Sequence, residues 1–159
     1  GINDVERLVE LVGRVSRVGD SVCVRAFQAS VGCVNVVRDR ANVVWSLQAS
    51  GSEGVHGDSE AIYGTESNGH VIAWRRDDGT RLWSSDRLRL RKLTAPLVLG
   101  RSVVLGDESG WIHFLSRADG APLNRVMTDS SGMVAAPVVA ADTLVVVTRS
   151  GGVYGFRPD

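Results

Sequence analysis

Gly69-His70-Val71-Ile72-Ala73-Trp74 is a glycine followed by a run of apolar residues, and the chain carries this phrase four times. The other copies are Gly32-Cys33-Val34-Asn35-Val36, Gly110-Trp111-Ile112-His113-Phe114-Leu115 and Gly152-Val153-Tyr154-Gly155-Phe156. Their glycines stand 37, 41 and 42 residues apart. A period near 40 with several short strands per unit is the mark of radial β repeats, each small sheet forming one blade of a propeller. Such a repeat points to a surface built from loops rather than to one deep catalytic pocket.

Outward from these phrases the chain divides into units near 10–48, 49–85, 86–127 and 128–159, read together as one domain over 1–159. The third unit shows the pattern best. Ala95-Pro96-Leu97-Val98-Leu99 runs to a Gly100-Arg101 turn, and Ser102-Val103-Val104-Leu105-Gly106 follows. The Asp107-Glu108-Ser109-Gly110 hairpin leads into Trp111–Leu115, and Asp119-Gly120 turns into an outer strand Pro122–Val126. Alternation over about five residues bounded by Gly, Asp and Ser predicts strands and hairpins. Pro96 and Pro137 fall at strand starts, where a missing N–H costs least. The expected fold class is all-β, a propeller segment of about four four-stranded antiparallel blades, the fourth ending after its third strand. Near the start, Val5, Leu8, Val9 and Val12 stand at helical spacing, while the repeat register predicts a strand over 14–18 before a Gly19-Asp20 turn and leaves 1–9 open.

Composition agrees with strands and turns. Valine and glycine are abundant, and 18 basic residues balance 18 acidic ones, so no overall field favours nucleic acid or an anionic membrane. No apolar run approaches the roughly 20 residues that span a bilayer. Gly1 in place of an initiator methionine reads as a processed or truncated chain.

A second internal signal couples turn to tryptophan. Gly79 precedes Trp83 by four residues, Ala41 precedes Trp45 by the same interval, and Gly120 precedes Asn124 where the aromatic is lost. A glycine there takes positive φ for the turn, and the aromatic docks against the neighbouring blade. Gly79, Trp45 and Trp83 are therefore expected to be structural.

Ala73-Trp74-Arg75-Arg76-Asp77-Asp78-Gly79-Thr80-Arg81-Leu82-Trp83 resembles the tryptophan-docking motif of the PQQ-dehydrogenase-like propellers, with Arg75 and Asp78 in place of its usual Asp and Thr. Within that group, Lys92-Leu93-Thr94-Ala95-Pro96, Gly106–His113, Thr128-Asp129-Ser130-Ser131-Gly132 and the closing strand to Phe156 resemble the C-terminal half of the BamB family of outer-membrane assembly lipoproteins; Phe27-Gln28 fits as well. The resemblance implies an eight-bladed ring of which this chain holds about half. It implies a non-catalytic scaffold without cofactor, lipid-anchored in its full-length form at the periplasmic face of the outer membrane. The implied partner is the POTRA region of the barrel insertase BamA, with unfolded outer-membrane clients beside it. The family's acidic Asp-x-Asp contact element aligns with Glu10-Leu11-Val12, which keeps the first acid and loses the second. The alternatives are a generic PQQ- or WD-type repeat adapter with another protein partner, and a fragment of a quinone enzyme. The quinone enzymes add adjacent cysteines, a calcium site and a catalytic aspartate to the blade motif; this chain has no adjacent cysteines.

The remaining residues are read for chemistry one by one. Cys23 and Cys33 flank a hairpin centred on Gln28-Ala29. A three-residue loop with a bulge sets them opposite each other at bridging distance, and a plain two-residue turn sets them on opposite faces. His56, His70 and His113 lie in separate units without metal-ligand spacing. Asp77-Asp78 and Asp107-Glu108 read as turn formers, and Ser130-Ser131-Gly132 has no base placed beside it in sequence. Arg87, Arg89 and Arg91 alternate with Leu88 and Leu90, which on a strand puts the guanidiniums on one face and the leucines on the other. With Glu10, Arg87 and Arg89 are the expected partner-binding residues. A half-ring exposes an apolar face on each terminal blade, so self-association of half-rings is expected.

Overall fold

A computed structural model of the chain describes residue 11 and residues 13–157. Four antiparallel sheets follow one another along the chain, and no helix occurs among the described residues. The first sheet comprises β1 (Ser16–Val18), β2 (Ser21–Ala26), β3 (Ser30–Val37) and β4 (Arg40–Gln48). The second comprises β5 (His56–Gly57), β6 (Ala61–Thr65), β7 (Val71–Arg75) and β8 (Arg81–Ser85). The third comprises β9 (Leu97–Leu99), β10 (Ser102–Gly106), β11 (Trp111–Ser116) and β12 (Pro122–Met127), and the fourth β13 (Val138–Ala140), β14 (Thr143–Val147) and β15 (Val153–Phe156). Every sheet is a simple meander in chain order, the sheet unit of a propeller.

The middle strands of the second and third sheets are buried on both faces, which is why they read as nearly unbroken apolar runs. Successive side chains of a strand point to opposite faces. Ile62, Ile72 and Trp74 accordingly pack back against Cys23, Val31, Cys33 and Trp45 of the first sheet, while Ala61, Tyr63, Val71 and Ala73 pack forward against Val103, Leu105 and Leu115 of the third. The third sheet repeats the division, sending Leu97, Val104 and Ile112 toward Met133, Leu144 and Val146 of the fourth. Three apolar layers thus alternate with four sheets. The innermost strands are tied by polar contacts as well. The Val98 N–H donates to His56 Nδ1 at 2.9 Å, and the Arg14 guanidinium donates to the Pro137 carbonyl at 3.3 Å, joining the entries of the first and fourth sheets.

The predicted strand over 14–18 is the shorter β1, followed by a Gly19-Asp20 turn with Gly19 at φ +57°. The helical spacing at its start and the open stretch 1–9 lie outside the described residues, apart from Leu11, which bridges to Ala26. The meander fixes two opposed faces. On one lie the hairpins between second and third strands together with the connections between sheets, here called the connector face. On the other lie the turns between first and second strands and between third and fourth. The outward sides of the two end sheets leave apolar residues uncovered: Val36 and Val43 on the first, and Val138, Val147 and Val153 on the fourth. A hollow of about 220 Å³ lined by Leu11, Val24, Val34 and Val43 opens on the first sheet.

Candidate functional site

Each tryptophan of the turn signal reaches the next sheet. Trp45, at the end of the first sheet, lays its ring on Gly79, where an added Cβ would come within 2.5 Å of the indole, and its Nε1–H donates to the Arg76 carbonyl at 2.7 Å. Trp83 repeats the arrangement one sheet on, with its ring on Gly120 and its Nε1–H donating to the Arg117 carbonyl at 2.8 Å. Gly79 and Gly120 both stand at φ +75°, so each glycine serves the turn and the ring at once. The arginines at the same turns run the opposite way. Arg76 is buried and donates to the hydroxyls and carbonyls of Ser16 and Ser21 in the preceding sheet at 2.8–3.0 Å. Arg117 pairs with Asp58 and lies over the Tyr63 ring. Tryptophan forward and arginine backward make a two-way clasp on the face opposite the connectors. The sequence reading missed the arginines, although Arg76 and Arg117 each stand three residues before a repeat glycine.

Cys23 and Cys33 sit directly opposite one another in β2 and β3, across a three-residue loop in which Gln28 takes φ +52°, and they form a disulfide. The bridge is fully buried beside Trp45 in the layer between first and second sheets.

The connector face carries further ionisable groups. Arg25 is wholly buried, donating to the Thr65 carbonyl at 2.9 Å and lying 3.6 Å from Glu66 Oε1; its Nε, one terminal nitrogen and that carboxylate oxygen have no hydrogen-bond partner. Burial pulls its guanidinium pKa down, and Glu66 offsets only part of this. Burial also pushes the nearby Glu53 carboxyl up against the opposing pull of Arg25. One hairpin on, Asp107 accepts from the Ser109 and Trp111 N–H groups, from Arg91 at 3.2 Å, and meets His113 Nε2 at 2.8 Å. Burial raises its carboxyl, but the hydrogen bonds from His113, Trp111 and Ser109 outweigh that and hold it below the usual carboxylate range. In the fourth sheet, Asp129 gathers the hydroxyls of Ser131, Thr148, Ser150 and Tyr154, with the Ser131 and Thr148 hydroxyls foremost in depressing its pKa. These clusters close hairpins onto connections. The serines at 130–131 lie beside no histidine in these contacts, and no group of three or more metal-ligating side chains converges among the described residues.

Between the clusters runs a groove of about 550 Å³, lined among others by Gln28, Glu53, Asn68, Leu90 and Lys92. It meets a smaller hollow of about 230 Å³ at Lys92 and Leu93, which extends to Val134 and Arg149. Arg87 and Arg89 lie exposed on this face, but not as the alternation predicted. Residues 87–90 form a turn in the connection between second and third sheets, not a strand. Leu88 enters the core between those sheets, whereas Leu90, at φ +66°, points to solvent. The segment has no neighbouring strand to pair with, and the left-handed residue throws its side chain away from the face that Leu88 occupies. Arg89 is paired with Asp86 at 3.5 Å, and Arg91 is drawn to Asp107. Glu10 lies outside the described residues.

Comparison with known proteins supplies the family. The family model described as "Outer membrane protein assembly factor BamB" matches residues 1–85. A protein of that name from Burkholderia pseudomallei is 42% identical over 158 residues, 99% of this chain and 41% of its own length. The chain spans about 40% of the length of the curated relatives it matches. The crystal structure of BamB from Moraxella catarrhalis superposes with a TM-score of 0.82 at 21% identity, covering 91% of this chain and 42% of that one. Quinohemoprotein alcohol dehydrogenase from Comamonas testosteroni shares the fold, with a TM-score of 0.69 at 18% identity over 87% of this chain and 29% of that one.

Proposed function

Since the chain belongs to the family of the outer membrane protein assembly factor BamB, we propose that it is part of a non-catalytic scaffold of the outer-membrane barrel assembly machinery. In this reading it works at the periplasmic face of the outer membrane, as part of a longer, lipid-anchored protein. Its connector face meets the POTRA region of BamA and helps to arrange incoming outer-membrane proteins, whose extended segments add to exposed strand edges. The observation that carries the reading is how the face is built: the Asp107 and Asp129 carboxylates and the hydroxyls around them are consumed in closing hairpins, while Arg87 and Arg89 are exposed on a connection beside an open groove. A surface so organised presents loops and holds no set of groups poised for bond-making. The buried disulfide accords with an oxidising compartment.

Glu10, Arg87 and Arg89 are the partner-binding residues of this proposal. It is tested by titrating the chain with the purified POTRA region of BamA. Saturable binding that weakens in Glu10→Lys, and weakens in a salt-dependent way in Arg87→Glu/Arg89→Glu, is the expected result. No binding by a folded chain would sink it, and unchanged affinity in the double arginine variant would remove the arginines from the interface.

A further inference from the structure

Leu90 is 86% exposed, more than any other large hydrophobic among the described residues. Its backbone sits at φ +66°, a region that disfavours a leucine side chain, and Lys92 two residues on sits at φ +47°. Two such residues in one short connection mark a conformation imposed by the surroundings.

Those surroundings are visible on both sides. Leu88 is 6% exposed and anchors one end in the core between second and third sheets. The chain then lies against the second sheet's hairpin so closely that a Cβ on Gly69 would come within 2.8 Å of Arg89 Cα and 2.9 Å of Leu90 N. The Arg89 N–H donates to the Asp86 carbonyl at 3.1 Å. On the far side the Arg91 carbonyl accepts from the Glu108 N–H at 3.3 Å, and the Arg91 guanidinium is held by Asp107. Leu90 is thus a fixed projection between two pinned neighbours, not the tip of a loose loop. The connection is flanked by the second and third sheets, so this exposure differs from that of the uncovered end-sheet faces.

The cations closest to the projection are only loosely neutralised. Arg87 makes no ion pair among the described residues, and the Arg89–Asp86 and Lys92–Glu108 pairs are both exposed, at 3.5 Å, a setting in which pairing is weak. The carboxylates of the adjoining groove, Glu53 and Glu66, lie beside Arg25.

We infer that Leu90 is a preformed anchor for a protein partner, one that offers an apolar socket rimmed by carboxylates to receive the leucine between Arg87, Arg89 and Lys92. Because the backbone is already fixed, little ordering is left to oppose binding, and a central apolar anchor ringed by polar contacts is where interface energy concentrates. The inference rests on the reading above in taking the POTRA region of BamA as that partner.

The test titrates the chain and its Leu90→Gly and Leu90→Asn variants with that region, and melts each variant alone. Glycine and asparagine accept positive φ, so both are expected to fold with an unchanged or higher melting temperature. Both are expected to raise Kd about tenfold or more, while Leu123→Ser, an exposed leucine on an outer strand, leaves Kd unchanged. Wild-type binding with equal affinity for both Leu90 variants overturns the anchor and leaves the scaffold reading standing. No wild-type binding overturns both.

Discussion

The Cys23–Cys33 bridge stabilises chiefly by restricting the unfolded chain, and for a closure of 10 residues this contributes about 2–4 kcal/mol. A Cys23→Ser/Cys33→Ser variant should lose about that much in denaturant unfolding, and the native chain should show no reactive thiol until reduced. A different residue sets a pH dependence. His56 accepts the Val98 N–H at Nδ1, which requires that nitrogen unprotonated, and burial, followed by the charge of Arg14, lowers its pKa. The unfolded chain therefore binds the proton more readily. The contribution of His56 is complete above about pH 6.5 and is lost as pH falls through the lowered folded value. His56→Asn keeps an acceptor without the titration, so its stability should be flatter below pH 6.5 than that of the parent. Asp107 and Asp129, both depressed, act in a lower window, losing their contribution only as pH falls below about 4. The cysteine pairing was half legible in the sequence: both registers could be drawn, and the choice depended on a loop length that residue types do not fix. Arg25 was not legible at all, since an arginine in an alternating strand reads as a surface group, and its burial depends on the close approach of Gly51 in the following connection and Gly64 in the next sheet.

At the scale of elements, sheet-to-sheet docking is the organising contact. Trp83→Ala removes a buried ring between second and third sheets and should cost about 3–5 kcal/mol, with the melting transition as readout. Gly79→Ala should be destabilising for two reasons in one position: its φ of +75° disfavours a side chain, and the added methyl would press within 2.5 Å of Trp45. If instead Gly79→Ala melted like the parent, the docking geometry would be wrong. The strands were readable because burial on both faces wrote those of the second and third sheets as short apolar runs, and because four imperfect copies showed where each run begins and ends. The connection 86–92 misled because Arg-Leu-Arg-Leu-Arg alternates like a strand. What breaks the alternation is a backbone angle at Leu90, which hydrophobic periodicity cannot register. In the first unit the repeat position of Gly79 is Ala41, and the turn is made by Arg38 and Asp39 at φ +49° and +65°, a tight hairpin in which glycine is not needed.

For the whole molecule, the layered packing leaves one sheet face open at each end of the described chain, with Val36 and Val43 at one and Val138, Val147 and Val153 at the other. Apolar faces of this kind seek cover. Light scattering of the 159-residue chain at rising concentration should show a mass moving toward twice the monomer, as two half-rings close on each other; a monomer throughout would contradict it. The scaffold reading makes a separate claim, that partner contact belongs to the connector face and spares the clasp of tryptophans and arginines on the other. Backbone hydrogen exchange measured with and without the POTRA region of BamA tests this most directly. The account predicts slower exchange in the connection 86–92 and the hairpin 66–70, with the opposite turns at 76–80 and 117–121 unchanged. Protection at those opposite turns, or none anywhere at saturating partner, would contradict it.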